Sequence, residues 1–323
     1  MSKQVSLKSS DYVKSGWSVR PGQLGQFAWR IVRLIFVLGV SYVILFPLLT
    51  KISSSFMTVE DLYDQTVLWI PKHITFEHYK KVFEFMNYPI AFLNSTLLAT
   101  LVSALQLATC TVVGYGFARF PARLNGLLFA AVVFTLIVPP QMVMIPLYLN
   151  FRYFTAFGLL PGSGVNLLGS YWPAILTSLT GTGLRNGLHI FIMRQFFRGM
   201  PRELEEAAYV DGAGPFTTFF RIMLPGALPA MVVVFLFSFV WQWNDYFFTT
   251  IFMGSKDLLT NNLNEVALRV LESAGLTHEA RYGEYASLIN NTGSLMFIAP
   301  LLILYAALQK YFIESIERTG LVG

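Results

Sequence analysis

Charge is scarce in this 323-residue chain: Asp, Glu, Lys and Arg make up 13% of it, against about 25% in an average soluble domain. That scarcity excludes an ordinary soluble surface. The 54% hydrophobic content excludes disorder, which needs few apolar residues and much charge. Cysteine is almost absent. The single Cys110 rules out an internal disulfide framework or a multi-cysteine metal site, and it reads as a small apolar residue in a buried helix. The four histidines, His73, His78, His189 and His278, show no H-E-x-x-H spacing, so neither a metal site nor a catalytic residue is expected. No phosphate-cradling G-x-x-x-x-G-K-S/T loop exists, since none of the nine lysines follows a glycine. The chain is therefore expected to bind no ATP or other cofactor of its own. A net charge of +5 does not point to nucleic acid, because the basic residues punctuate hydrophobic runs instead of clustering.

What the sequence does contain is six runs nearly free of charge. A charged side chain at mid-bilayer costs about 2.5–3.5 kcal/mol on insertion scales, so such runs mark candidate spans. They lie at 34–50, within 85–118, at 124–151 with a kink at Pro139 and Pro140, at 170–193, at 222–250 and at 285–309. The fourth is set by the turn cluster Pro161, Gly162, Ser163 and Gly164 inside a longer uncharged stretch, 153–193, that holds only Arg185. The expected fold is all-α: a polytopic membrane protein with six transmembrane helices in one membrane domain, 31–312. A polar segment, 1–30, precedes it and a tail, 313–323, follows. No apolar run precedes Ile31, so the first span is expected to be an uncleaved anchor. With the N-terminus inside, the inner segments carry fourteen Lys and Arg and seven acids, and the outer segments eight and ten. The positive-inside rule then puts both termini in the cytoplasm.

Two ionisable residues fall inside the spans, and such residues are functional candidates by default. Counted at about 1.5 Å per residue along straight helices, Asp245 falls near the far boundary of span five, while Arg185 falls nearer mid-depth. No direct pairing between them is expected. Asp245 reads either as a hydrated helix end flanked by Trp241 and Trp243 or as part of a solute path. Arg185 reads either as a cavity residue or as a side chain that snorkels to the interface. Trp241, Asp245 and Phe248 share a helical face suited to sugar, though aromatic stripes also serve simply as packing. Asn94 and Gln106 on span two and Asn244 beside Asp245 complete the candidate pathway set, although polar groups also hold helices together. A membrane-embedded enzyme would need several His, Cys or carboxylates at one depth, and the spans hold one acid.

The loop at 198–225 is the one inner segment dense in acids. Pro201 suits a first helical turn, with Glu203, Glu205 and Glu206 where the helix dipole favours negative charge, which predicts a helix over 201–210. Glycines at Gly212 and Gly214 allow a sharp bend, and Pro215 opens a second helix to Met223. Such a hairpin presents Glu205 and Glu206 with an apolar strip of Phe216, Phe219 and Phe220. Physics alone leaves two readings: a passive scaffold lying on lipid headgroups, or a docking element.

The spacing of the loop resembles a known motif. Glu206, Ala207, Ala208, then Gly212, then Ile222, Leu224 and Pro225 match the cytoplasmic E-A-A loop of ATP-binding-cassette importer permeases, with both gaps of the family's length. F-L-N-S-T-L-L-A-T from Phe92, G-Y-G-F-A-R-F from Gly114, P-P-Q-M-V-M-I-P-L-Y from Pro139 and W-Q-W-N-D-Y-F-F from Trp241 are similar to the carbohydrate-uptake branch. The resemblance implies a type I importer architecture in a prokaryotic plasma membrane and a sugar or oligosaccharide as solute. A similar importer for another solute, such as glycerol phosphate, is the alternative. It also implies partners: a second homologous permease, a cytoplasmic ATPase dimer that uses the ATP, an external solute-binding protein and the membrane lipid. In that family the loop's first helix docks on the ATPase. Glu205, Glu206, Ala207, Ala208, Asp211, Gly212, Ile222, Leu224 and Pro225 are the expected coupling residues, with Gly212 setting the angle. Gly212→Asp is expected to uncouple transport from ATP hydrolysis; normal growth on the solute with full ATPase stimulation in that variant would contradict the assignment.

Overall fold

The computed structural model describes residues 21–156, 158–159, 164–183, 185–254, 256–275 and 282–320. The first twenty residues of the expected leader, His278 and most of the 161–164 turn cluster lie outside them. The chain divides into two compact units at Lys51/Ile52. In the first unit runs most of α1 (Pro21–Ser55), whose Gly25–Ser55 portion is apolar enough to cross a membrane. The helix starts well before residue 34. Proline is welcome in a first turn, and Arg30 and Arg33 need not end a helix that is longer than the hydrocarbon core, since their stems reach toward the interface.

The second unit is all-helical, and its two β-contacts among the described residues are isolated bridges. Short helices α2 (Val59–Tyr63) and α3 (Glu77–Phe85) lead into α4 (Tyr88–Arg119), a continuous apolar helix. Then come α5 (Asn125–Phe134), a 3₁₀ turn Pro140–Val143, α6 (Met144–Arg152), α7 (Trp172–Leu179) and α8 (Asn186–Gly199). The loop of interest holds α9 (Glu203–Val210), α10 (Pro215–Thr218), a turn of π-helix at Phe219–Met223 and α11 (Leu224–Gly226). The chain closes with α12 (Leu228–Asn244), α13 (Phe247–Met253), α14 (Leu259–Ser273) and α15 (Tyr282–Gly320).

Among the described residues, three single helices are long and apolar enough to span a bilayer: Gly25–Ser55, Tyr88–Arg119 and Gly283–Lys310. A fourth span is possible as a pair, Pro215–Gly226 with Leu228–Asn244, bent by 73°. The remaining candidate runs differ from the straight helices expected. Run 124–151 is not merely kinked but interrupted, because Pro139 and Pro140 each lack the N–H that a helix needs there. Run 170–193 is split between α7 and α8, where Gly181 takes a φ of 71° and Arg185 one of 63°. Run 222–250 breaks at Asp245. At the C-terminus, α15 continues to Gly320 without a break at 313.

The residues between the first span and α4 form a small structured element of their own. Asp61 is buried and accepts from the His73 amide at 2.8 Å, with the His73 ring at 3.0 Å. Burial opposes its charge, but the His73 contacts outweigh that and hold the carboxyl below its ordinary range. His78 is buried too, which pushes its ring toward the neutral form, and Nε2 lies 2.9 Å from the Met57 carbonyl. Helix α14 buries Leu259, Val266, Val270 and Leu271, all on one helical face, together with Val82, Met86, Leu288 and Ile289.

At the centre α4 packs against α8 and α12. The approach of α4 to α8 depends on Gly114: a Cβ there would lie 2.6 Å from Met193 Cβ. Small residues let membrane helices approach this closely. Gly114→Val is expected to lower thermal stability in detergent by about 1–3 kcal/mol; an unchanged midpoint of unfolding would show that the contact is not tight.

Candidate functional site

Three interruptions of the apolar runs, at Pro139–Pro140, at 180–185 and at Asp245, meet at one place, while the bend at Ala227 lies apart. A cavity of about 490 Å³ is lined by Thr135 and Pro140 from the first break, Thr182 and Gly183 from the second, and Asp245 and Thr249 from the third. Gln106 on the unbroken α4 completes this wall. The volume lies in the range of about 300–1,000 Å³ typical of small-molecule sites. An adjoining recess of about 270 Å³ shares Gln106, Pro140, Asp245 and Phe248 with it and adds Arg185, Trp241 and Asn244.

Local chemistry explains each break. Asp245 ends α12 and its carboxylate takes up the first amides of α13: Thr249 N–H donates at 2.9 Å, Thr249 Oγ1 at 2.9 Å and Phe248 N–H at 3.4 Å. These donors have no helical partner of their own, so Asp245 acts as the helix cap. Between α7 and α8, the Gly183 and Thr182 amides both return to the Thr177 carbonyl, at 2.8 and 3.0 Å. The Arg185 guanidinium lies 4.2 Å from the centre of the Trp241 ring. Stacked on the same indole are His189 at 5.4 Å and Phe237 at 5.6 Å. Across the recess, Ser238 Oγ donates to Gln106 Oε1 at 2.6 Å, tying α4 to α12.

Of the pathway candidates, Gln106, Arg185, Trp241, Asn244 and Asp245 come together in this recess. Asn94 does not: its amide donates to the Asp257 carbonyl at 3.0 Å, far along α4 from the cavity. Arg185 and Asp245 form no ion pair, as expected, but the depth count that separated them does not hold, since both line this recess. The count assumed a straight helix from Pro225, whereas the chain turns by 73° at Ala227 and ends its helix at Asn244. Thr135, Thr182, Ser238, Gln242 and Thr249 went unnoticed in the sequence. The Pro-Pro pair and the G-T-G triplet at 181–183 were the available signal for the first two.

The second candidate site is the 198–225 loop. Helix α9 begins two residues later than Pro201 and ends where Gly212 takes a φ of 82°. The Ala213 amide then closes on the Ala208 carbonyl at 2.9 Å and the Gly212 amide on Tyr209 at 3.0 Å, the hydrogen-bond pattern of a left-handed helix stop. Glu206, Ala207 and Asp211 are exposed, as are Val210, Phe216 and Phe220, with Phe216 at 81%. Ile222 and Leu224 are half-buried and Pro225 is exposed. Three residues depart from the expected surface: Ala208, Phe219 and Glu205 are buried. Phe219 is buried against the Tyr115 ring at 4.7 Å. Glu205 is only 8% exposed: it faces inward beside Ala208, one position before the outward Glu206 on a 3.6-residue repeat. Its Oε1 accepts from Tyr115 OH at 2.7 Å and its Oε2 lies 3.2 Å from Arg119 Nε.

Interrupted helices around a cavity, on a chain with several apolar spans, are the architecture of a multi-pass membrane transport subunit, and no cluster of metal-binding side chains occurs among the described residues. The chain belongs to the family of binding-protein-dependent transport system inner membrane components, which matches residues 110–316, and is thus a permease subunit of an ATP-binding-cassette importer. It is 29% identical over 256 residues to the alpha-glucoside transport system permease protein AglG of Rhizobium meliloti (strain 1021), a match spanning 78% of this chain and 62% of that relative's length. With the arabinooligosaccharides transport system permease protein AraQ of Bacillus subtilis (strain 168), identity is 28% over 299 residues, covering 91% and 96%. In fold it is similar to a chain of a bacterial ABC transporter involved in the import of the acidic polysaccharide alginate. That likeness has a TM-score of 0.69 at 20% identity and covers 89% of this chain and 98% of the other.

The capping role of Asp245 separates cleanly from its charge. Asp245→Asn is expected to keep the thermal midpoint nearly unchanged and Asp245→Ala to cost about 1 kcal/mol, since Asn and Asp cap alike and Ala does not. Equal losses in both variants would instead assign the stability to the carboxylate's charge.

Proposed function

We propose that this permease subunit forms half of a passage for a sugar or oligosaccharide, opened and closed through its 198–225 loop by a cytoplasmic ATPase dimer. The observation that carries the reading is the convergence of three helix interruptions on one cavity. Backbone that leaves helical geometry inside a bilayer is tolerated only against protein or water, so the breaks belong beside an aqueous path. The recess supplies what a sugar needs: amides at Gln106, Gln242 and Asn244, the Asp245 carboxylate and the Arg185 guanidinium, which stacks with His189 and Phe237 on the Trp241 indole. The relatives named for alpha-glucosides and arabinooligosaccharides agree with that chemistry.

A second homologous permease completes the passage, and an external binding protein delivers the solute. The excess of Lys and Arg on the inner segments supports cytoplasmic termini and a cytoplasmic position for α9 in a prokaryotic plasma membrane. There Glu206, Ala207, Val210 and Phe216 offer the ATPase a small, mixed acidic and apolar surface. One observation favours a second reading of the solute. Arg185 makes no ion pair within 4.0 Å among the described residues, so an anionic solute such as glycerol phosphate also has a partner in the recess.

The importer, isolated through a tag on this chain and reconstituted with its binding protein, distinguishes the solutes. ATP hydrolysis is expected to rise when the binding protein is offered an alpha-glucoside or arabinooligosaccharide. A rise with glycerol 3-phosphate alone would overturn the sugar assignment, and copurification of no ATPase would overturn the coupling assignment.

A further inference from the structure

The interior of the loop holds more than a docking helix. Glu205 does not face a partner; it is buried against the C-terminal end of α4, where Tyr115 OH donates to Oε1 at 2.7 Å and Arg119 Nε stands 3.2 Å from Oε2. Arg119 reaches further, donating from Nη2 to the Met200 carbonyl at 2.7 Å, just past the end of α8. Around this pair Tyr115 packs edge-on against Phe197 at 5.2 Å and tilted against Phe219 at 4.7 Å, so that α4, α8 and the π-turn after α10 close over it. The Arg119 Nε contact is an ion pair without a formed hydrogen bond, so Glu205 is held by its charge on Arg119 together with the Tyr115 hydroxyl. Removing one member leaves the other buried and unpaired.

We propose that Tyr115, Arg119 and Glu205 are positioning residues that clamp α9 to α4, so that a displacement of α9 moves α4 as one body and reaches the cavity. This rests on the reading of α9 as the element that docks the ATPase. Helix α4 is suited to carry the displacement: it is unbroken from Tyr88 to Arg119 while the helices beside it are interrupted. Gln106 lies thirteen residues before Arg119, about 20 Å away at 1.5 Å per residue. There it meets Ser238 at 2.6 Å and lines both the cavity and the recess. Movement of α4 therefore shifts Gln106, and through its bond to Ser238 the α12 helix that ends at Asp245, against the edge at Gly183. A flexible tether would lose this displacement, whereas packed elements pass it on between discrete arrangements. The division of labour on α9 follows from its periodicity. Glu206, Ala207 and Val210 face out toward a partner, and Glu205 and Ala208 face in toward α4.

The test uses the importer isolated through a tag on the full-length chain, with Thr182→Cys as a reporter on the cavity wall. The native Cys110 is buried and contributes little labelling of its own. Trapping the ATPase with ATP and orthovanadate is expected to change the rate at which a water-soluble maleimide labels the reporter by about tenfold. In Glu205→Gln the same amount of nucleotide is trapped, yet the labelling rate changes by less than about twofold, because α9 moves without α4. Tyr115→Phe, which removes only a hydroxyl, falls between the two and decides the matter should Glu205→Gln fail to reach the membrane. A full change in labelling in both variants overturns the clamp. Loss of the ATPase from the Glu205→Gln complex, with retention in Glu206→Gln, overturns it too, since Glu205 would then serve docking. An unsubstituted chain that brings down no ATPase overturns the docking reading itself, a result distinct from either.

Discussion

The structure is organised by the cost of an unpaired backbone amide away from water. Inside a bilayer a helix satisfies its own N–H and C=O groups, and each departure from helix must find other partners. Besides the bend at Ala227, this chain departs three times within its apolar runs, at Pro139–Pro140, at 180–185 and at Asp245. In each case freed groups find local partners: the Val138 amide reaches the Phe134 carbonyl and the Met142 amide that of Pro139, the Thr177 carbonyl receives two amides, and the Asp245 carboxylate receives those of Phe248 and Thr249. Because these three breaks border one cavity, the backbone that is hardest to keep in lipid is gathered around it.

A second consequence concerns rigidity. Breaks provide places to move, so the unbroken α4 becomes the reference against which α8, α12 and α13 are arranged. Its small face at Gly114 brings α8 to backbone contact, its amide at Gln106 ties α12, and its end at Tyr115 and Arg119 holds α9. The two sites described separately, cavity and loop, thereby share one helix. Membership in a family of importer permeases gives that connection its use, because an importer must relate events at its ATPase to access at its solute path.

Much of this was legible in the sequence, and the parts that were not fail for definable reasons. Scarcity of charge located the apolar runs, and the E-A-A spacing with Gly212 located the loop and its bend, which the φ of 82° bears out. The helix interruptions were harder to see. Hydropathy is blind to them, since Asp245 is a single charge in a run and Gly181 and Gly183 are no less apolar than their neighbours. Counting depth along a straight helix then separated Arg185 from Asp245, which a 73° bend and a helix end bring to one recess. Glu205 and Glu206 look equivalent in a string of letters. Only the register of α9 against α4 turns one inward to Arg119 and leaves the other exposed. Asn94 shows the opposite error: a polar residue in a span that serves packing, by its bond to the Asp257 carbonyl.

The central claim is that the three interruptions border the solute's path. It is tested most directly by a structure of the assembled importer trapped with its solute inside the membrane. The account predicts solute within contact distance of the edges formed by Pro140, Gly183 and Asp245, with Gln106 or Trp241 alongside. Solute running along a different face of this chain, with those three breaks sealed against protein, would contradict it.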